Sequence, residues 1–130
     1  MPSVHYVNGD YCLEEEASIN PLNLGLLRGY GIFDYVQSYE GKPLHLRDHL
    51  KRLKYSASQI DLNFHWSFEE LAKITYQVIE KNDPIDAGIR FVIAGGSSSK
   101  DFLLPVSHPM LFVFLFFNDT ATTEIYTKGM

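Results

Sequence analysis

The chain has 130 residues and 45% hydrophobic content, which is enough for one domain with a hydrophobic core. A formal net charge of −5 without any cluster of Lys and Arg argues against a nucleic-acid partner, because binding to phosphates favours a basic surface. The single cysteine, Cys12, excludes an internal disulfide and fits a reducing cytoplasmic location.

The first predicted elements are a hairpin and a polar segment. Residues 4–7 alternate in polarity, Asn8-Gly9 is a strong hairpin signal, and residues 10–13 can return beside the first strand. Residues 14–16 are three glutamates, which we interpret as a solvated surface. The segment 21–27 is too short for a helix to be predicted with any weight.

The strongest local pattern lies in residues 29–39. Gly29 and Gly31 allow a positive φ or the close approach of another group, and a strand is predicted over residues 32–39. Alternation along this strand places Phe33 on one face and Asp34 on the other. Because Asp34 then lies among half-buried neighbours, its carboxylate requires a polar partner.

A helix is predicted after the turn at residues 40–41. Apolar residues spaced four and three apart form one buried stripe, which consists of Leu46, Leu50, Leu53, Ala57 and Ile60. The stripe beside it contains His49, Arg52 and Ser56. The guanidinium of Arg52 suits a phosphate or a carboxylate, although an arginine that merely lies over apolar surface has the same spacing.

The second half of the chain predicts one further helix and two strands. Ser67 and Glu70 form a capping box at the start of a helix over residues 68–81, and Asn82-Asp83-Pro84 ends it. Strands are predicted at residues 89–94 and 110–117. The second strand is expected to be central and buried on both faces. It is too short to cross a bilayer, and no signal peptide is visible. We therefore expect no membrane partner.

A glycine–serine loop occupies residues 95–99. It lacks the strand–loop–helix context and the lysine of a phosphate-binding loop, so we favour a loop that lines an active site or an interface. Together, the elements predict an α+β fold with a mixed or antiparallel sheet of about five strands and two helices packed on one side.

Three consecutive motifs carry a family resemblance. The run Gly-x-Gly-Ile-Phe-acid, then Tyr-x-Gly-Lys-Pro, then His-Leu-x-Arg-Leu-x-x-Ser-Ala resembles the N-terminal small domain of fold-type IV pyridoxal phosphate enzymes. These enzymes are the class IV aminotransferases, including branched-chain and D-amino-acid aminotransferases, together with aminodeoxychorismate lyase. The likeness covers about residues 4 to 114. It implies pyridoxal 5'-phosphate as cofactor, amino acids and 2-oxo acids as substrates, and a homodimeric full-length enzyme.

The resemblance also implies roles for individual residues. Arg52 would bind the cofactor phosphate, Phe33 would line the substrate pocket, and Arg90 would recognise the substrate carboxylate. An alternative for Arg90 is an ion pair with Asp86 or Asp83.

Asp34 and two histidines leave local questions open. Many relatives have glutamate where this chain has Asp34, so the partner of the shorter carboxylate is not defined. His45 and His49 lie four residues apart and could begin a metal site, but a zinc site needs at least a third ligand. We therefore predict no metal and expect His49 to form a hydrogen bond within the core, as the resemblance implies.

The chain carries no lysine in the sequence context that catalysis would need. The family places its Schiff-base lysine in a larger second domain, and none of the seven lysines here matches that motif, so we expect no catalytic residue and no activity from this chain alone. An aminodeoxychorismate lyase-like enzyme and a non-catalytic binding or pairing domain on the same scaffold are the alternative functions.

The C-terminal residues suggest a boundary. Residues 118–127 resemble the translation of a sequencing-library adapter, although an ordinary polar C-terminal segment is the alternative. We therefore expect a small domain over residues 1–116 and a tail of non-native appearance over residues 117–130, with the large catalytic domain absent.

Overall fold

The computed structural model describes residues 3–96 and 108–117. In these residues the strands are β1 (Val4–Val7), β2 (Asp10–Leu13), β3 (Gly31–Tyr39), β4 (Lys42–Pro43), β5 (Asp86–Ala94) and β6 (Met110–Phe117). The helices are α1 (Leu24–Leu27), α2 (Leu46–Gln59) and α3 (Phe68–Asn82), and a short 3-10 helix spans Glu14–Glu16.

The strands form one antiparallel sheet in the order β2-β1-β6-β5-β3-β4. The longest pairing joins β3 to β5, from Gly31 opposite Ala94 to Tyr39 opposite Asp86. The α+β fold is thus confirmed, with six strands in the described residues where about five were predicted. The additional strand is β4, whose two residues pair with the end of β3 at the sheet edge, where a proline is tolerated because no ladder partner needs its N–H.

Helices α2 and α3 cover one face of the sheet. Their apolar stripes pack with residues of β3, β5 and β6 into a single core, whose fully buried members include Val36, Leu53, Leu71, Val78, Ile89, Phe91, Ile93 and Val113. The predicted stripe of α2 is buried from Leu46 to Ala57, but Ile60 follows the helix as its C-cap and is 38% exposed. The opposite face of the sheet presents Phe33, Tyr35 and other large side chains to the surface.

Strand β6 is central, as predicted, but its last two residues are exposed. Leu111, Val113 and Leu115 are buried on the helix side, whereas Phe116 and Phe117 are 45% and 42% exposed. The prediction that the whole of 110–117 is buried on both faces is therefore wrong at its C-terminal end, because no described element covers that part of the strand.

The termini of α3 follow the sequence signals. The Ser67 hydroxyl accepts a hydrogen bond from the Glu70 N–H at 3.1 Å, which caps the helix. At the other end, the Asn82 side chain accepts from the Val4 N–H and donates to the Val4 carbonyl, each at 2.8 Å, and so ties β1 to the helix. No helix in the described ranges 3–96 and 108–117 is long and apolar enough to cross a membrane.

Candidate cofactor and substrate site

A buried carboxylate joins β3 to α2. Asp34 lies on the helix side of β3 and is 4% exposed. Arg52 donates from Nε to Asp34 Oδ2 at 2.8 Å and from Nη2 to Oδ1 at 2.6 Å. The His49 Nδ1 atom is 3.1 Å from Oδ1, and the Tyr35 backbone N–H donates to Oδ1 at 2.7 Å. The undefined partner of Asp34 is therefore the pair of His49 and Arg52.

The sequence spacing explains why these groups converge. His49 and Arg52 are three residues apart, so they lie on the same side of α2, and α2 packs against β3. Arg52 does not merely lie over apolar surface, because its guanidinium binds the Asp34 carboxylate through two parallel hydrogen bonds.

The charges of this cluster stabilise one another. Burial alone would raise the pKa of Asp34, but hydrogen bonds from Arg52, the Tyr35 N–H and His49, with the charge of Arg52, outweigh it and lower that pKa. The Asp34 hydrogen bonds and charge raise the pKa of Arg52 in turn. Both groups are therefore ionised at neutral pH. The Arg52 side chain is nevertheless 64% exposed.

The open face of the sheet holds a second arginine. Arg90 of β5 lies with its Cζ 5.3 Å from the ring centroid of Phe33 and 6.0 Å from that of Phe116. No salt bridge involves Arg90 in the part of the chain that the structure describes, so the alternative pairing with Asp86 or Asp83 is not found there. The structure thus brings Phe33 and Arg90 together on this face of the sheet.

Phe33 and Arg90 lie beside a largely apolar cleft of about 580 Å³. Its other walls come from residues 17–19, from α1, from β5 and from β6, and include Ile19, Leu26, Val92, Phe112 and Phe114. Strand alternation could have revealed Phe112 and Phe114, which share a face with Arg90, but no pattern in the sequence marks residues 17–19.

The glycines just before and at the start of β3 show the two backbone features expected of them, a positive φ and a close approach of another group. Gly29 has a φ of +64°, and a Cβ atom at Gly31 would lie 2.9 Å from the carbonyl oxygen of Ile93. Both glycines line the cleft, so the chain reaches β3 without a side chain that would narrow it.

Arg52 does not lie on the same side of β3 as Phe33 and Arg90. It contacts Asp34 on the helix side of β3, whereas Phe33 and Arg90 lie on the open side.

In the described residues no lysine lines the cleft, and no group of three or more His, Cys, Asp or Glu residues could hold a metal ion. His45 is the N-cap residue of α2 and precedes the helix. Cys12 is half-buried on β2, where burial raises the pKa of its thiol.

Two expectations lie wholly or partly outside the described residues. Of the glycine–serine loop, only Gly95 and Gly96 are described; the Gly95 N–H donates to the Tyr30 carbonyl, and the Gly96 carbonyl accepts from the Leu24 N–H, both at 2.8 Å. Residues 97–99 and the tail from residue 118 onwards are outside the described residues.

Comparison with known proteins identifies the class. The profile of the family described as amino-transferase class IV matches residues 31–126. The chain is 27% identical to the D-alanine aminotransferase of Staphylococcus epidermidis over 111 residues, which are 84% of this chain and 39% of that protein. It is 33% identical to the aminodeoxychorismate lyase of Bacillus subtilis over 100 residues, which are 75% of this chain and 34% of that enzyme.

Solved structures show the same fold. The branched-chain aminotransferase of Thermoproteus uzoniensis, solved with norvaline, superposes with a TM-score of 0.82 at 24% identity over 92% of this chain and 42% of that chain. The branched-chain aminotransferase of Escherichia coli gives 0.82 at 23% identity over 91% and 42%. The chain belongs to the class IV aminotransferase family, which is a family of pyridoxal phosphate enzymes, and it spans 31–39% of the length of the D-alanine aminotransferases it matches.

Proposed function

We propose that this chain forms the small domain of a pyridoxal phosphate-dependent aminotransferase, which transfers an amino group between an amino acid and a 2-oxo acid. The observation that carries the proposal is the position of Arg90. It is a permanently charged group held between aromatic rings at an apolar cleft, without an acidic partner in the described residues. Such a group binds the carboxylate that both substrates share.

Arg52 fits the role of a ligand to the cofactor phosphate. Its guanidinium is oriented by two hydrogen bonds to a buried carboxylate, and the side chain is 64% exposed. The cofactor supplies the electron sink for the amino transfer when it is bound. Because Asp34 neutralises the charge of Arg52, a phosphate dianion needs further donors, and we place these donors and the catalytic lysine outside this chain, as in our sequence prediction.

The substrate side chain would occupy the cleft. Phe33 forms one wall, and an aromatic wall beside aliphatic neighbours discriminates between side chains by shape. An apolar side chain is therefore favoured, and both branched-chain and D-amino acids fit this description. The relatives named above include enzymes for both classes.

We further propose that the full-length protein is a cytoplasmic homodimer and that this chain alone does not transaminate. The single cysteine and the half-buried position of Cys12 support a reducing compartment. The lack of a matching lysine supports the inactivity, because without it the cofactor has no covalent attachment point. A borohydride-reducible adduct together with turnover of amino donors by the purified chain would contradict this part of the proposal.

An aminodeoxychorismate lyase-like function is the alternative within the family. The observation in its favour is the 33% identity to the Bacillus subtilis lyase, which exceeds the 27% identity to the D-alanine aminotransferase. A chain completed with its catalytic part distinguishes the two, because a lyase eliminates without a 2-oxo acid acceptor, whereas a transaminase requires that acceptor.

The phosphate role can be tested on a chain completed with its catalytic part by comparing pyridoxal 5'-phosphate with pyridoxal, which lacks the phosphate. We expect the phosphate form to bind more tightly, and Arg52→Ala to reduce its affinity by roughly one to two powers of ten while pyridoxal is unaffected. Arg47→Ala is the matched control, since Arg47 lies on the same helix but stacks on Phe68. Equal affinity in wild type and Arg52→Ala would remove the support for this assignment.

The substrate role is tested with 4-methylvaleric acid, a monocarboxylate found in complex with a branched-chain aminotransferase of this fold. Arg90→Ala should abolish its binding without changing pyridoxal phosphate affinity, because Arg90 and Arg52 lie on opposite sides of the sheet. Phe33→Ala should instead alter the preference between carboxylates with different side chains. Unchanged 4-methylvalerate binding in Arg90→Ala would contradict the assignment.

A further inference from the structure

Tyr35 lies directly opposite Arg90 in the pairing of β3 with β5, on the same face of the sheet. Its ring does not stand upright from the strand but lies over Gly88, two residues from Arg90 along β5. A Cβ atom at Gly88 would overlap this ring, with Tyr35 Cε2 only 2.6 Å away. The space above Gly88 is therefore occupied by the Tyr35 ring, and any side chain at residue 88 would displace it.

Gln37 contacts the hydroxyl group of Tyr35. The Gln37 Nε2 donates to the carbonyl of Ala87 at 3.0 Å and to that of Ser38 at 3.2 Å. This arrangement leaves Gln37 Oε1 as an acceptor, and the Tyr35 hydroxyl donates to it at 3.4 Å. Because Gln37 pairs with Gly88 across the two strands, both contacts direct the ring to the same place.

The direction of the ring determines which side of Arg90 is open. Phe33, Val92 and Phe112 form a row across three strands beside the cleft. The Tyr35 ring points away from this row, towards Gly88. Arg90 consequently has the cleft and Phe33 on one side, and Tyr35 with Phe116 on the other.

We propose that Gly88 is a positioning residue that keeps Tyr35 off the Arg90 guanidinium, so that Tyr35 closes one side of the carboxylate site and leaves the side towards the cleft open. This pair selects monocarboxylates whose apolar side chain points into the cleft. The inference rests on the proposed function, in which Arg90 binds the substrate carboxylate. With a side chain at residue 88, the Tyr35 ring is driven towards Arg90 and competes with the ligand.

The experiment measures binding of 4-methylvalerate to the full chain through the NMR signal of the Arg90 Nε–H, which also reports the ring positions in the free protein. We expect Gly88→Ala to shift that signal and to raise the dissociation constant roughly tenfold, the change expected when one charge-assisted contact is lost. Tyr35→Ala should raise it only about threefold, because the guanidinium stays accessible while the wall is lost. Tyr35→Phe keeps the ring but loses the hydroxyl that donates to Gln37, and its affinity should lie between those of wild type and Tyr35→Ala.

The double variant Gly88→Ala/Tyr35→Ala decides the mechanism. If the glycine acts through the tyrosine ring, the double variant binds like Tyr35→Ala, so removal of the ring rescues the glycine substitution. The same rescue should restore folding if Gly88→Ala alone fails to fold. Wild-type affinity in Gly88→Ala, or a double variant as impaired or as unfolded as Gly88→Ala, would overturn the inference.

The two proposals fail in different ways. If Arg90→Gln binds 4-methylvalerate as wild type does, or if wild type does not bind it, the carboxylate role of Arg90 is wrong and this inference is wrong with it. If binding depends on Arg90 but is insensitive to Gly88→Ala, only the positioning role is wrong.

Discussion

The buried carboxylate of Asp34 offers the sharpest test of how the site is held together. Asp34→Asn keeps the size of the side chain but removes its charge and replaces one acceptor oxygen with an N–H₂ group. That N–H₂ group would face the donors of Arg52, so one of the two parallel hydrogen bonds must break. The Tyr35 N–H can still donate to the remaining oxygen.

The expected loss follows from the lost hydrogen bond. A hydrogen bond to a charged group contributes about 1.5–3 kcal/mol, and water around the exposed partner places this one near the lower limit. We therefore expect Asp34→Asn to lower the free energy of unfolding by about 1.5 kcal/mol at pH 7 and the Tm by roughly 5 °C. Asp10→Asn, at the exposed start of β2, is the control and should change stability by less than about 0.5 kcal/mol.

The difference in stability between wild type and Asp34→Asn should decrease as the pH falls. The pKa of Asp34 is lower in the folded chain than its ordinary value, so the folded state binds that proton less well than the unfolded state. The stabilisation is therefore complete above about pH 4, the ordinary aspartate pKa, and disappears as the pH falls through the folded-state pKa. Urea unfolding of both proteins between pH 7 and pH 3 measures this difference. A difference that is absent at pH 7, or that grows as the pH falls, would refute the reasoning.

Three further predictions concern the scaffold. Leu53→Ala removes a fully buried side chain and should lower the free energy of unfolding by about 2.5–5 kcal/mol in urea titrations, and a loss below 1 kcal/mol would contradict the packing. Ser67→Ala removes the cap on the Glu70 N–H and should cost about 1 kcal/mol in the same assay, whereas Ser67→Asn, which can cap, should cost little. Asn82→Ala should make the Val4 amide exchange its hydrogen faster by roughly tenfold or more, because its acceptor is lost, and unchanged protection would show that Val4 does not depend on Asn82.

The sequence predicts the longer elements well, because their periodicity is strong. The stripes of α2 and α3 and the alternation in β3 define three of the elements around the core. The sequence does not predict α1, since four residues are too few to show a period. It indicates β4 only as the return of residues 42–45 after the turn, of which two residues form the strand. Strand β5 begins at Asp86, three residues before its predicted start, because pairing with the end of β3 overrides the low strand propensity of its first residues.

Only those features of the site that depend on residues close together in sequence can be predicted from the sequence. The alternation at Phe33 and Asp34 shows that the carboxylate needs a partner, but the partner is 18 residues away and depends on how α2 docks on β3. The contact between Tyr35 and Gly88 depends on the register of two strands 53 residues apart in sequence, which no local pattern contains. The family resemblance, by contrast, proposes roles for Arg52 and Arg90 but does not predict where their side chains lie or what they contact.

The position of the two arginines on opposite sides of β3 constrains how a complete site can be built. Phe33 and Asp34 are consecutive, so the strand pleat alone separates the cluster around Arg52 from the cluster around Arg90. Two features allow one ligand to reach both clusters. The cleft extends to Ile32, which lies on the Asp34 side, and β4 pairs only with Ser38 and Tyr39, so no strand covers the outer edge of β3 near its start in the described residues. Under the proposed function, a cofactor held by Arg52 and a substrate held by Arg90 would therefore approach one another from the two sides of β3 around its beginning.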